Sequence, residues 1–379
     1  MSHATNSRPL LSRPQSASGA SRPTAVVYCE GNFGRTDGKT ANGLVRQSER
    51  YEITSVIDST KAGSDAGEVL DGVRSGIPIV TDLAAALRAD HPDCFIVGVA
   101  PTSGLLSVPE RAVILQAIAH GLDIVNGLHE FLNDDIEFAG AAVVHGVQIT
   151  DVRRPRAKTD LHMFSGRIHE VTCPRIAVLG TDGAIGKRTT ATILTGVLNE
   201  AGVRAVMVGT GQTSLIQGAR YGVALDAVPA QFVTGELEAA VVEAFEVERP
   251  DVIIVEGQGA LSHPTYLSST AILRGSLPAG VILQHAPART TVSDFPNVPM
   301  PTVVSEINLI ETFARTEVIG ITINHEGMTD AEISVAIAGY EAALGIPATD
   351  ALARPTKALL DMVFRSFPTL RTVPAIATR

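Results

Sequence analysis

The stretch that decides the fold is GTDGAIGKRTT, at residues 180–190. It follows an apolar run at 175–179 and precedes an amphipathic pattern at 187–200, so a glycine-rich loop joins a strand to a helix. In such a loop the backbone N–H groups turn inward, the helix N-terminus adds partial positive charge, and the lysine reaches phosphate oxygens. The sequence therefore predicts a phosphate-binding P-loop at the edge of a parallel sheet.

The loop departs from the regular Walker A sequence at two positions. Thr181 stands where the first glycine is expected, and Arg188 replaces the serine or threonine that binds magnesium, with Thr189 displaced by one. The loop resembles the G-T-D-x-x-x-G-K variant of dethiobiotin synthetase-like P-loop proteins. Phosphate binding is expected from it, whereas phosphoryl transfer is one of two alternatives.

A second signal is the apolar strand at 251–255, which ends in Glu256 and continues as GQGALSHP. A buried strand that ends in an acid is typical of a Walker B segment, at the sheet edge near the loop. The alternative is a structural acid that caps the next turn. His263 at the end of this run, and His285 after a later strand at 280–283, are each either site residues or hydrogen-bonded structural residues.

The first half of the chain opens with the same order of elements, a strand followed by a glycine-rich loop and a helix. A strand at 25–29 precedes a turn with Gly31, Gly34 and a G-K-T at 38–40, and a second strand at 51–57 closes in Asp58. The spacing matches neither a dinucleotide fingerprint nor a Walker A loop. The glycines indicate either a ligand-binding Rossmann-like domain or a structural domain with tight packing of strand against helix.

Strands and helices alternate in both halves, which predicts an α/β fold with two parallel sheets. We expect a disordered tail at 1–24, a Rossmann-like domain at 25–150, a basic linker at 151–174 and a P-loop domain at 175–379. The linker contains five cations, which indicate either a solvated connection or a basic wall facing a phosphate or carboxylate. They are Arg153, Arg154, Arg156, Lys158 and Arg167.

Composition narrows the choice of partners. The formal charge is −10, only 4% of residues are aromatic and Trp is absent. A net negative field and few stacking platforms disfavour nucleic acids and anionic membranes. The three cysteines are widely spaced, which indicates neither a disulfide framework nor a metal site. No apolar run approaches the ~18 residues of a membrane span. We expect a cytoplasmic homo-oligomer that binds small molecules.

Three features together resemble one family. They are the loop at 180–190, the run EGQGALSHP at 256–264, and the Rossmann-like half with its Lys39-Thr40 pair and Asp58. The chain is similar, over about 25–375, to the two-domain family long catalogued as a domain of unknown function, with a Rossmann-like N half and a P-loop C half. Members of this family with an assigned activity are D-glutamate N-acetyltransferases.

The resemblance implies acetyl transfer from acetyl-CoA to the amino group of a D-amino acid, with D-glutamate as the expected acceptor. Direct transfer needs a neutral amine, a thioester held nearby and donors for the oxyanion. Our hypothesis is that Glu256 or His263 takes the proton of the amine. The substrate carboxylates are expected at Arg153, Arg274, His285 and Arg289. The coenzyme A phosphates are expected at Gly180, Thr181, Asp182, Gly183, Ala184, Ile185, Gly186, Lys187, Arg188 and Thr189.

Two other functions fit the same motifs. In an ATP-dependent ligase or kinase of the dethiobiotin synthetase type, Asp182, Lys187 and Glu256 would surround Mg-ATP. Arg188 in place of the magnesium-binding hydroxyl argues mildly against this alternative. A non-enzymatic nucleotide- or coenzyme A-sensing protein would use the two glycine-rich loops as receptors.

Overall fold

The computed structural model of the protein describes residues 21–101, 103–293 and 295–372. The predicted tail at 1–24 lies outside the described residues up to residue 20. The remaining residues form two parallel sheets, one in each half of the chain, with helices on their faces.

The first sheet has the strand order β3-β2-β1-β4-β5-β6, and every neighbouring pair is parallel. This is the strand order of dinucleotide-binding domains. Successive strands are added first on one side of β1 and then, from β4 onward, on the other side, which leaves a crevice at the carboxyl ends of β1 and β4. The strands are β1 (Thr24–Tyr28), β2 (Glu52–Ile57), β3 (Ile79–Val80), β4 (Cys94–Val97), β5 (Asp123–Asn126) and β6 (Ile149–Asp151). The helices are α1 (Lys39–Arg46), α2 (Ala66–Asp71), α3 (Leu83–Ala89), α4 (Val108–Ala119) and α5 (Ile136–His145).

The second sheet has the order β15-β14-β11-β7-β10-β8-β9 and is also parallel throughout. Its strands are β7 (Arg175–Gly180), β8 (Ala205–Gly209), β9 (Tyr221–Gly222), β10 (Val252–Glu256), β11 (Gly280–His285), β14 (Val318–Ile323) and β15 (Ala348–Thr349). A separate antiparallel hairpin joins β12 (Thr291–Val292) to β13 (Phe295–Pro299). The helices are α6 (Lys187–Glu200), α7 (Gln212–Gln217), α8 (Val233–Glu248), α9 (Ser268–Ser276), α10 (Val303–Ala314), α11 (Asp330–Leu344) and α12 (Lys357–Ser366).

The predicted fold class is confirmed, because both halves are parallel α/β sheets with the glycine-rich loops at strand–helix junctions. The strands are apolar on both faces, since helices cover each side of a parallel sheet. In β10, for example, every residue from Val252 to Glu256 is buried. The central helix α6 begins and ends where its pattern predicted, at 187 and 200.

The two domains meet through α1 and α7. Ile216 of α7 is buried in the apolar core of the first sheet. The next residue, Gln217, donates from Nε2 to the carbonyl oxygens of Gly43 and Gln47 at 2.7 and 2.6 Å. These contacts fix the carboxyl ends of the two sheets against one another and so create the space between them.

Three of the linker arginines, Arg154, Arg156 and Arg167, pair with acids away from the cleft, which favours the connecting segment over the basic wall for these three. Arg154 reaches Asp134 at 2.9 Å, and Arg167 forms ion pairs with Glu170 and Glu246. Arg156 lies 3.8 Å from Glu236. The linker is therefore fastened to both domains by ion pairs, and Arg153 alone among these arginines lines the space between the sheets.

None of the helices in the described part of the chain combines the length and the apolar composition that a membrane crossing requires.

Candidate functional site

A cleft of about 730 Å³ lies between the carboxyl ends of the two sheets. The second domain contributes the P-loop and the segments that follow β8, β10, β14 and β15. The first domain contributes the turn after β1, residues 128–129 after β5, and Arg153. Residues at the carboxyl ends of parallel strands form the ligand sites of such folds, so this cleft is the candidate site.

The P-loop has the backbone geometry that phosphate binding needs. Gly186 precedes α6 with φ +98°, a left-handed conformation that glycine adopts without strain. Asn324 supports the loop from β14, donating from Nδ2 to the Ile185 carbonyl at 3.1 Å. Lys187 donates from Nζ to the Asp182 carbonyl. Burial lowers the pKa of Lys187 to about 7, and Arg289 and Lys39 add repulsion while Asp182 opposes the shift. An anion in the loop would restore the charge of this lysine.

Arg289 lines the cleft, but its guanidinium is already paired. Nη1 donates to Asp182 Oδ2 at 2.8 Å, and Nε and Nη2 bind the carboxylate of Glu326. Asp182 is fully buried and also accepts from the Ser293 backbone N–H at 2.9 Å. Arg289 therefore fastens the P-loop to the β12–β13 hairpin and to the segment after β14. Contact with a substrate carboxylate remains a prediction that would require this network to open.

Arg188 occupies the position of the magnesium-binding hydroxyl and turns its guanidinium to the domain interface. Nη1 donates to Gln217 Oε1, and burial lowers the pKa of Arg188 to about 10. A Cβ added at Gly43 of α1 would lie 2.6 Å from Arg188 Nη2, so the helix and the guanidinium are in close contact. This guanidinium joins the P-loop helix to the segment that packs on the first domain, and its contact with phosphate remains a prediction that would require the hydrogen bond to Gln217 to open.

Glu256 lines the cleft at the end of β10. Its Oε2 accepts from Thr210 N at 2.7 Å, Gly211 N at 3.2 Å and Ser214 Oγ at 2.6 Å. Burial raises the pKa of Glu256, and these hydrogen bonds and Arg188 act against the shift. This carboxyl holds the segment between β8 and α7, which is a structural contact different from the predicted capping of the turn that follows Glu256 in the chain. A role as proton acceptor remains a prediction.

His263 does not have the geometry of a general base. Its Nδ1 accepts from the backbone N–H groups of Thr265 and Tyr266, both at 3.2 Å, which places the ring proton on Nε2. Nε2 lies 4.0 Å from Asp182 Oδ1, and the side chain is fully buried against the ring of Tyr266. The expectation that His263 takes the proton of the amine is therefore corrected: this imidazole supports the P-loop.

Two further candidates from the sequence lie away from the cleft. His285 Nδ1 pairs with Thr181 Oγ1 at 2.8 Å beneath the P-loop, and burial lowers the pKa of His285 to about 4. Arg274 is exposed on α9 and stacks over the ring of Phe313 at 5.0 Å. The expectation that these two side chains bind substrate is corrected, because neither borders the space between the sheets.

The structure adds two imidazoles that the sequence analysis did not select. His129 follows β5 and lies with Nε2 3.6 Å from Asp226 Oδ2, across the cleft from the P-loop domain's central strands. His325 follows β14, and its Nδ1 is 2.7 Å from Asp350 Oδ2. Both histidines come directly after strands of a parallel sheet, and this position is the signal that could have identified them.

A further acid holds the characteristic run at 256–264 in place. Glu306 of α10 is fully buried and accepts from Leu261 N at 2.5 Å and from Ser262 N and Oγ at 3.2 and 2.6 Å. Burial raises the pKa of Glu306. Because Glu306 belongs to α10, the sequence at 256–264 alone could not predict these hydrogen bonds.

The first domain uses the acid at the end of its second strand internally. Asp58 is fully buried and accepts from Phe33 N at 3.0 Å and from Thr60 N and Oγ1 at 3.0 and 2.6 Å. In dinucleotide-binding domains this acid binds the ribose. Here it closes the glycine-rich turn, so the turn contributes to the cleft as a wall.

Among the described residues, His, Cys, Asp and Glu side chains form no group of three or more that could hold a metal ion.

Comparison with known proteins matches both halves of the chain to one family. Residues 59–155 match the domain of unknown function DUF1611_N, a Rossmann-like domain. Residues 162–360 match the domain of unknown function DUF1611_C, a P-loop domain.

Two curated relatives carry the same activity in their names. A D-glutamate N-acetyltransferase of Tritonibacter scottomollicae is 30% identical over 72% of this chain and 82% of its own length. A D-glutamate N-acetyltransferase of Pseudoalteromonas sp. is 29% identical over 68% of this chain and 77% of its own length. A crystal structure of a DUF1611 family protein from Anabaena variabilis ATCC 29413 is 32% identical, with a TM-score of 0.84 over 91% of this chain and 100% of that protein.

Proposed function

Since the chain belongs to the DUF1611 family, with a Rossmann-like domain followed by a P-loop domain, we propose that it is an N-acetyltransferase that acetylates D-glutamate from acetyl-CoA. The names of the two relatives, at 30% and 29% identity, support the transferase class and this acceptor. The observation that carries the proposal is a P-loop that faces a wall of the other domain across a cleft of about 730 Å³.

The donor half of the proposal rests on the P-loop. Coenzyme A carries a pyrophosphate and a 3′-phosphate, and the N-terminus of α6 with Lys187 offers N–H groups and a cation for such groups. Lys187 is 5% exposed and pairs only with a backbone carbonyl and distant charges in the described contacts. Arg188 stands where a hydroxyl for magnesium would be, and its guanidinium is directed to Gln217. Both features suit a loop that binds phosphates without transferring one.

The acceptor half rests on the charges of the cleft. A dicarboxylic amino acid requires cations for its carboxylates and an anion near its ammonium group. The first domain supplies Arg35, Lys39 and, after β6, Arg153, while Asp226, which pairs with Arg153, comes from the segment after β9 of the P-loop domain. Direct transfer brings the neutral amine to the thioester carbonyl, with backbone N–H groups able to stabilise the oxyanion.

The test is a transfer assay with purified protein, acetyl-CoA and D-glutamate. We expect release of the coenzyme A thiol, followed with a thiol reagent, together with N-acetyl-D-glutamate identified by mass spectrometry. L-Glutamate and D-aspartate, assayed in parallel, define the acceptor. Lys187→Met should weaken coenzyme A binding by tenfold or more, with Arg274→Met as a matched loss of an exposed cation.

Two outcomes would contradict the proposal. ADP or phosphate release that depends on ATP, magnesium and an amino acid, without thiol release from acetyl-CoA, would assign the site to an ATP-dependent ligase or kinase. Thermal stabilisation by coenzyme A or a nucleotide without turnover of any amino acid would indicate a sensing protein, since a ligand that binds the native state stabilises it by mass action.

A further inference from the structure

We propose that the acceptor amino acid binds where the first domain meets the segment after β9 of the P-loop domain, with its ammonium group at Asp226, and that His129 of the first domain is the general base that takes the ammonium proton. This inference rests on the proposed acetyl transfer and assigns the acceptor half of the same cleft. It also gives the Rossmann-like domain a direct part in the reaction.

The geometry places a base and an anion side by side. His129 Nε2 and Asp226 Oδ2 are 3.6 Å apart, which is longer than a hydrogen bond, and their side chains are 46% and 26% exposed. Asp226 is held by Arg153, whose Nη2 is 2.9 Å from the same oxygen. An ammonium group that binds Asp226 is thus brought within reach of the imidazole, and both side chains line the cleft.

The charges distinguish this side of the cleft from the other. His129 faces Asp226, Arg153 and Lys39, a set with two cations and one anion. Arg153 is already bound to Asp226 and to the Gly127 carbonyl, so the carboxylates of a dicarboxylic amino acid would be received by Arg35 and Lys39 while Asp226 receives the ammonium group.

The second imidazole of the cleft, His325, has surroundings of the opposite kind. It pairs with Asp350 and adjoins Glu326, and the nearby cation Arg289 is already bound to two carboxylates. A dicarboxylate would meet repulsion there. The comparison favours His129 as the base that acts on the acceptor.

The protonation of His129 suits a base at neutral pH. Burial lowers the pKa of this imidazole, Arg153 and Lys39 lower it further, and Asp226 alone among the three facing groups raises it. A neutral imidazole has the lone pair that accepts a proton.

In the proposed reaction, His129 accepts one proton from R–NH3+. The amine nitrogen then attacks the thioester carbonyl, so a C–N bond forms. The tetrahedral intermediate collapses with cleavage of the C–S bond, and the second N–H proton passes to the departing thiolate. The products are the N-acetyl amino acid and the coenzyme A thiol, and the imidazolium returns its proton to solvent.

The experiment compares His129→Gln with the wild-type protein and with His120→Gln as a matched control. His120 is exposed and precedes β5, at the sheet edge opposite the cleft. We expect kcat/KM for D-glutamate to fall about 10²–10³-fold in His129→Gln, with unchanged coenzyme A affinity and unfolding temperature. The loss should shrink as pH rises, because more of the amine is then neutral without a base. Imidazole should restore part of the activity of His129→Ala.

The outcomes separate this inference from the proposed function. If the wild-type protein releases thiol but His129→Gln keeps turnover within threefold of it, or if Glu256→Gln loses more activity than His129→Gln, the assignment of the base is overturned. If the wild-type protein acetylates no amino acid while it binds coenzyme A, the proposed function itself fails. A loss in His129→Gln that is independent of pH and not relieved by imidazole would also overturn the role as a base.

Discussion

At the scale of single residues, Lys187 determines how the charge of the P-loop responds to pH. Burial is the main reason that its pKa is lowered to about 7, and the ordinary value is 10.5. In the absence of an anion this ammonium group therefore loses its proton near neutral pH, whereas a bound phosphate favours the charged form.

We predict that coenzyme A binding takes up a proton above pH 7. Because the bound state has the higher pKa, affinity is greatest below the unbound pKa and falls as pH rises above it, by up to about tenfold per pH unit. Calorimetry between pH 7.5 and 9, in buffers of different ionisation enthalpy, should give an uptake approaching one proton per coenzyme A. The second ionisation of the ligand phosphate, near pH 6, is complete in this range. Lys187→Met should show weak binding with no uptake, and equal uptake in both proteins would refute the prediction.

Predicted site residues whose surroundings are contiguous in the chain lie at the cleft. The P-loop and Glu256 lie within single motifs, and the structure places both at the cleft. His129 and Asp226 were missed because they come from different domains and meet only through the docking of α1 on α7. His285 and His263 come at or after the ends of strands, as site residues often do. Each side chain nevertheless lies under the P-loop, because the direction of a side chain at such a position cannot be predicted from the sequence.

At the scale of elements, the loop after β10 is held by a side chain from α10. Glu306 accepts three hydrogen bonds from Leu261 and Ser262 while fully buried. Leu261 is half-buried and Ser262 is exposed, so removing the acceptor chiefly leaves the Leu261 N–H without its partner, and an unpaired donor shielded from water costs more than the hydrogen bond itself contributes.

We predict that Glu306→Ala lowers the free energy of unfolding by about 1–3 kcal/mol and lowers transfer activity, since the loop then loses its shape. Glu306→Gln retains an amide oxygen as acceptor and should stay within about 1 kcal/mol of the wild-type protein. Urea unfolding monitored by circular dichroism measures both. The exposed Glu317, changed to Ala, serves as control. Equal stability of the Ala and Gln variants would show that the hydrogen bonds do not hold the loop.

Element prediction from sequence succeeded where the pattern was long and failed where it was short. The boundaries of α6 were predicted to the residue, because apolar periodicity and a flanking turn define them. β3, β9 and β15 have two residues each, too few to show a period. α7 was missed for a different reason: all six of its residues are buried between the domains, so it has no polar face.

At the scale of the whole molecule, the cleft depends on the close approach of α1 to the P-loop helix. Gly43 is where the two meet, since a Cβ there would lie 2.6 Å from Arg188 Nη2 and 3.1 Å from Thr213 Cγ2. Gln217 completes the contact with hydrogen bonds to both sides.

We predict that Gly43→Ala leaves the protein less stable than the same change at an uncrowded helix position and reduces acetyl transfer, because the added Cβ displaces the end of the Arg188 side chain and crowds Thr213. Gly140 in α5 is the matched control, since a Cβ there meets nothing within 4 Å. At that position Ala should stabilise the protein by about 0.4–1 kcal/mol, as it does in ordinary helices. Thermal unfolding distinguishes the two. An equal rise in melting temperature for both variants would show that Gly43 is not in close contact with Arg188 and Thr213.

The construction of the cleft from two domains also affects how the specificity of the protein can evolve. The two sheets have separate apolar cores, and they are joined by the contact between α1 and α7 and by the Arg153–Asp226 pair. Substitutions after β5 or in the turn after β1 can therefore alter the first-domain side of the cleft and leave the P-loop unchanged. Under the proposed function, such substitutions would change which amino acid is acetylated while the P-loop keeps the same acetyl donor.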